Sequence, residues 1–328
     1  MLQHEISELL ESTNMYEIAN KTEYGIELNN DEKEVAAQLD EWARKIGKTG
    51  HDANHEIAAF VTRVVNDEIY EAPDELLDAM FERGSIGEFD DFEAYATPKN
   101  TLVAYEAAKG GNVPRSFLDI SVRKPTWKNR QIESDLSYAD LRRNGWKSVA
   151  LITEYATKAF KNAMFYDIFS NIDKLITSSA ANCITESGAK PTETSMDALA
   201  TYLSERNDPS ACNIISLYKY ILAASKLESA SDDMKNELHR VGLLGSYAGI
   251  NMTAISSAKK VQGQLLVPDK RIFGVSGIVG NLDMKGEIHV YEDEDNHNER
   301  IHLMFKDFTY GFAFNDDTLE NMCKIVLA

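Results

Sequence analysis

Residues 146–176 read WKSVALITEYATKAFKNAMFYDIFSNIDKLI and contain neither glycine nor proline. Val149, Ile152, Ala156, Phe160, Met164, Ile168, Ile172 and Ile176 step mostly by four along this stretch. Tyr155, Phe165, Phe169 and Leu175 lie beside that row. The spacing predicts one amphipathic helix, ~46 Å long at the usual rise per residue. Such a helix crosses most of a domain. Its apolar row does not hold a heptad repeat, so a packed backbone helix is expected here and not a coiled coil.

Upstream, apolar periodicity predicts helices at 5–20, 31–47, 52–70 and 73–83. In the second, Val35, Leu39, Trp42 and Ile46 recur on one face, with Asn30 or Asp31 placed to cap it and Gly47 near its end. In the third, Ile57, Phe60, Val61, Val64 and Val65 form a stripe, with Asp52 placed as its cap. Two readings fit this region: a helical subdomain with solvated acidic faces, or an arm that docks on basic surface elsewhere.

Residues 84–145 differ in character. Gly84, Gly87, Pro98, Gly110, Gly111, Pro114 and Pro125 interrupt any helix. Strand-like pieces at 101–105 and 116–123 flank Lys109-Gly-Gly-Asn112, which reads as a hairpin tip. Lys99, Lys109, Arg115, Arg123, Lys124, Lys128 and Arg130 make the segment basic. The whole reads as a two-stranded flap too poor in apolar residues to bury itself.

After Gly188 and Pro191 the pattern turns α/β. Helices are expected at 194–206, 217–227 and 231–240, and strands at 213–217, 252–255 and 272–280. A hairpin is expected from 286–292 and 299–314 with an acidic tip at 292–295, followed by a terminal strand or short helix at 322–327.

The chain has 328 residues and a net charge of −19, with 43% hydrophobic and 27% charged residues. That length buries a sizeable core without disulfides or metals. The acidity argues against a nucleic-acid-gripping surface and against an anionic membrane as partner. The charge is uneven: residues 1–95 carry 24 acids and 7 bases, net −17, whereas residues 96–150 carry 5 acids and 10 bases, net +5. Cys183, Cys212 and Cys323 form no disulfide framework and no paired-cysteine metal site, which fits a reducing compartment. Met1 to Leu10 lacks a basic start and apolar core, so no secretory signal is expected, and no apolar run reaches membrane-spanning length.

Chemical motifs are sparse. Gly242, Gly245 and Gly249 match neither a dinucleotide fingerprint nor a P-loop, and read as tight turns. His51, His55 and Glu56 share a helix without the order of a zinc hydrolase. His289 and His302 face each other if the last hairpin is centred between Asp295 and Asn296. The turn at 292–298 is rich in oxygen ligands but lacks the spacing of a calcium loop. No nucleophile elbow or acid/base pair is visible.

The order of parts is the strongest signal: an N-terminal region, a basic two-stranded excursion, a very long helix, an α/β region and a late hairpin. This order resembles the major capsid proteins of tailed bacteriophages, whose fold is named for phage Hong Kong 97. The stretch from Gly242 to Ile255 is similar to that family's turn into a central strand of its axial domain. Asp269 to Gly277 is similar to the strand that follows. The resemblance implies an α+β subunit with 1–91 as an acidic helical N-terminal region and 92–133 as the extended loop. It places the peripheral domain with its spine helix at 134–179 and 284–328, and the axial domain at 180–283. It implies a structural subunit, not an enzyme, that self-assembles into pentamers and hexamers of an icosahedral shell enclosing double-stranded DNA. No catalytic residue, cofactor, metal or membrane is implied. Portal, scaffolding and decoration proteins are the further partners, and the location is a virion capsid assembled in the host cytoplasm. The flap cations Lys99, Lys109, Arg115, Arg123, Lys124, Lys128 and Arg130 become the expected intersubunit contacts. Some relatives lose an N-terminal scaffolding segment, a role that an acidic helical stretch suits. Two other readings remain at this point: an encapsulin-like nanocompartment shell, and a cytosolic α+β enzyme whose flap is a lid.

Overall fold

The computed structural model describes residues 18, 21, 27–49, 54–71, 74–90, 95–99, 106, 119–123, 125–227, 245–295, 299–315 and 319–328. In chain order the elements are helices α1 (Asn30–Thr49), α2 (Asn54–Asn66), which runs into a π turn (Asp67–Glu71), and α3 (Glu75–Met80). Strands β1 (Phe81–Ile86), β2 (Tyr95–Lys99), β3 (Asp119–Arg123) and β4 (Thr126–Ser137) follow, then α4 (Tyr138–Asn144) and α5 (Trp146–Leu175). Next come β5 (Cys183–Glu186), α6 (Glu193–Ser204), β6 (Cys212–Leu217) and α7 (Tyr218–Ala224). The remainder is β7 (Ser246–Tyr247), β8 (Ile250–Ile255), β9 (Lys260–Val261), β10 (Gln264–Leu265), β11 (Arg271–Ser276), β12 (Gly280–Lys285), β13 (His289–Asp295), β14 (Arg300–Phe314) and β15 (Met322–Leu327).

The expected long helix is α5, 30 residues without a break. It contributes residues to both compact units of the chain. The first unit comprises 1–72, 129–161 and 286–309; the second comprises 73–128, 162–285 and 310–328.

In the first unit α1 begins with a reciprocal cap. Glu32 N–H donates to Asn29 Oδ1 at 2.7 Å, and Asn29 N–H donates to Glu32 Oε2 at 2.8 Å. The cap is therefore Asn29, one residue before the expected position. Trp42, Ile46, Ile57, Phe60, Val61 and Val65 are buried. Trp42 and Phe60 pack ring to ring at 5.8 Å. In α5, Phe160 lies 4.8 Å from Phe308 and 6.4 Å from Phe305. Strands β13 and β4 both pair with β14. Side chains of α2 close the outer edge of β13: Ile288 N–H donates to Asn66 Oδ1 and Val290 N–H to Thr62 Oγ1. That edge offers fewer free backbone groups to a foreign strand.

Asp40 of α1 holds the start of α5. Its Oδ1 accepts from Trp146 N–H at 3.3 Å, while Arg44 Nε donates to its Oδ2 at 2.9 Å. Gly145, at φ +61°, makes the one-residue break between α4 and α5. A Cβ there would come within 1.8 Å of Asp40 Oδ1. A carboxylate at a helix N-terminus satisfies an orphan donor and suits the helix dipole. Asp40→Ala is expected to cost about 1 kcal/mol and lower the midpoint of thermal unfolding by about 2 °C. An unchanged melting curve would remove this cap from the account.

In the second unit a six-stranded sheet runs β5-β15-β11-β6-β8-β7, with α6 against β15 and β11 and α7 against β6 and β8. Thr192 and Ser195 form the capping box of α6. Phe169 of α5 stacks on Phe273 of β11 at 5.7 Å. Below that contact, Asp173 accepts from Arg271 Nε and from the buried Lys324 Nζ, each at 2.9 Å. Between β7 and β8, Ala248 and Gly249 both have positive φ, the tight hairpin turn the glycines suggested. Strand β1 pairs in parallel with β12. A Cβ on Gly280 would lie 2.2 Å from the carbonyl oxygen of Ala313, so only glycine permits that approach to β14.

Several expectations change. The helix expected through 83 ends at Met80, and Phe81 begins β1, because pairing with β12 outweighs local helical spacing. The single strand expected over 272–280 is two, β11 and β12, broken where Gly277 has φ +68°. His289 and His302 do not face each other: His289 lies opposite Lys306 and His302 opposite Asp293. The strand runs on to Asp295 because Arg300 and His302 stand opposite the carboxylate positions 295 and 293. Helix 5–20, except a helical Ile18, lies outside the described residues, as do 101–105, the tip 109–112, the cap Asp52 and helix 231–240.

Candidate functional site

The basic flap is represented by β2 and β3, an antiparallel ribbon that pairs with no other described strand. Pro98 sits within β2, opposite Ile120, a position two-stranded sheets tolerate because each strand is an edge. Lys99 ends β2 opposite Asp119, and Arg123 ends β3 opposite Tyr95. Lys128 and Arg130 lie on β4 and are half-buried. Lys109, Arg115 and Lys124 lie outside the described residues. The four described cations are thus divided between the ribbon, with Lys99 and Arg123, and the sheet strand that follows it, with Lys128 and Arg130.

Of the remaining motifs, the structure describes only some residues. Glu56 accepts from the Trp42 indole N–H at 2.8 Å, His55 is exposed, and His51 lies outside the described residues. Among the described residues no three metal-ligating side chains form a group. The tip residues 296–298 lie outside the described set. Cys212 and Cys323 are buried, and burial pushes the Cys323 thiol up to about 12. Half-buried Cys183 is also raised, chiefly by burial. Raised thiols carry little thiolate at neutral pH and are poor nucleophiles.

One cluster was not singled out from the sequence. On β14, His302 Nδ1–H donates to Asp135 Oδ1 of β4 at 2.7 Å, and its Nε2 lies 3.8 Å from Glu133 Oε2. Arg300 lies 3.5 Å from Asp135. The Asp135 hydrogen bond, with the fields of Glu133 and Asp293, holds the His302 pKa above its ordinary value. The sequence signal was the i, i+2 pair Glu133 and Asp135, which shares one strand face. It becomes meaningful only once β4 is known to pair with β14.

No family model and no curated protein matches the chain. Among solved structures it is similar to one from Gordonia phage Cozz, with a TM-score of 0.53 and 12% identity, over 79% of this chain and 89% of that one. It is similar to one from Microbacterium phage Oxtober96, with a TM-score of 0.52 and 10% identity, over 78% and 92%. A third, from Mycobacterium phage Bobi, has a TM-score of 0.50 and 11% identity, over 85% and 99%. The fold these structures share with the chain is the phage capsid fold. At such identities the likeness speaks for the fold alone.

Proposed function

We propose that the chain is a structural subunit of an icosahedral phage capsid, self-associating into pentamers and hexamers that enclose double-stranded DNA. The observation that carries this reading is the capsid fold, matched over about four-fifths of the chain. A non-enzymatic role follows from it. In this reading α5 is the spine helix, 92–133 the extended loop and 180–283 the axial domain. The peripheral domain is 134–179 with 284–328, and 1–91 is the N-terminal region. The ribbon is supported as an intersubunit element by its composition and pairing. A two-stranded sheet without a third strand is marginal alone and gains by lying on another surface. An acidic subunit suits a container, since a shell that gripped DNA would oppose its movement in and out. Portal, scaffolding and decoration proteins are its proposed further partners, in a virion capsid assembled in the host cytoplasm.

Light scattering and electron microscopy of the purified chain test this reading. Closed shells of megadalton mass are the expected result. A monomer that persists at high concentration overturns the reading. Shells whose native content is an enzyme cargo transfer it to a nanocompartment.

A further inference from the structure

Among the described residues, the carboxylate-rich face where β4 meets β14 contains a histidine, His302, within reach of two carboxylates. We propose that His302 is a proton-dependent latch between β4 and β14, closed when its Nε2 carries a proton and loosened when it does not. An ionised Asp135 only accepts, so the ring nitrogen facing it, Nδ1, carries hydrogen in both states of the imidazole. The proton that comes and goes is therefore on Nε2, which faces Glu133 at 3.8 Å. With that proton, the carboxylates of Glu133 and Asp135 on β4 and Asp293 on β13 face two cations, His302 and Arg300 of β14. Without it one of those two positive charges is gone, and a neutral Nε2 stands 3.8 Å from the Glu133 carboxylate.

The latch adds to the other links between β4 and its neighbour, among them the Asn129 bond to Thr309 at 2.8 Å and the buried Leu136. Among the described strands β4 pairs only with β14, and its exposed side chains include Asn129, Gln131, Glu133 and Asp135. The ribbon's second strand ends at Arg123, three residues before β4 begins at Thr126. Loosening β4 therefore loosens the segment through which the chain leaves the ribbon. The sign follows from the raised pKa. The contribution of His302 is complete below the ordinary histidine value and disappears as pH rises through the higher folded value. The ring is partly exposed, so the effect is that of a screened pair.

The test uses the full chain from about pH 5.5 to about pH 8.5. Histidine proton resonances give the His302 pKa, with His302→Gln identifying its signal. Amide exchange of 126–137, corrected for its intrinsic pH dependence, gives the state of β4. His302 is expected to titrate above the ordinary value, and Asp135→Asn to bring it back. Protection of β4 is expected to fall about two- to fivefold as pH rises through the His302 pKa, and to stay flat in His302→Gln. Titration at or below the ordinary value, or the same exchange profile in wild type and His302→Gln, overturns the latch. Both readouts report on the folded subunit, so they are independent of whether shells form.

Discussion

Deleting residues 1–71 is expected to leave the first unit of the chain unfolded. These residues supply the buried side chains Val35, Leu39, Trp42, Ile46, Ile57, Phe60, Val61, Val65 and Ile69. Full burial of each large apolar side chain is worth about 1.5–3 kcal/mol. Nine of them together match or exceed the about 5–15 kcal/mol by which a whole domain is usually stable. The deletion also removes Asp40 from the start of α5, Asn54 from its hydrogen bond with the buried Tyr138 hydroxyl, and both side chains that close the edge of β13. Circular dichroism and dye binding would show lost helix and exposed apolar surface. A folded, soluble product would mean that α1 and α2 are dispensable, as expected of a removable scaffolding segment. The packing argues the opposite: α1 and α2 supply buried core to the first unit despite the acidity of the region. Among the described acids Glu34 and Glu41 are exposed, while the apolar stripes face inward.

The same contrast explains what could be read from the sequence. Helix α5 was legible because its signal is local: thirty residues without a breaker and an apolar row stepping by four. The α1 and α2 stripes were legible for the same reason. Strand β1 was not. Phe81-Glu-Arg-Gly-Ser-Ile86 has no strand pattern of its own and becomes extended only because β12 arrives beside it. The last hairpin was legible as a hairpin, but its register was not. Four successive acids from Glu292 look like a solvated tip until Arg300 and His302 are seen across from two of them. The cap of α5 escaped because its donor and acceptor are 106 residues apart. The basic flap was legible as composition. Which of its cations lie on the ribbon and which on β4 depended on strand boundaries that composition does not set.

Reversing the charges of Arg115, Arg123 and Lys124 to glutamate is expected to block shell assembly while leaving the subunit folded. The change alters the local charge by six units in a segment whose surroundings, residues 96–150, carry only +5. The segment would then be acidic, like the rest of the chain, and subunits of net −19 would become more acidic still. A single exposed ion pair contributes about 0–1 kcal/mol. In the proposed contact, three reversed charges would replace attraction with repulsion, and a closed shell would repeat that change in all its subunits. The folded subunit should be little affected, since Arg123 lies on a ribbon that pairs with no other described strand. The measurements are light scattering for mass and thermal unfolding for the subunit. The expected pattern is small particles with a nearly unchanged melting temperature, partly rescued by high salt because screening weakens the new repulsion. Normal shells from the triple variant would remove electrostatics from the ribbon's role and leave shape and backbone pairing to explain any contact it makes.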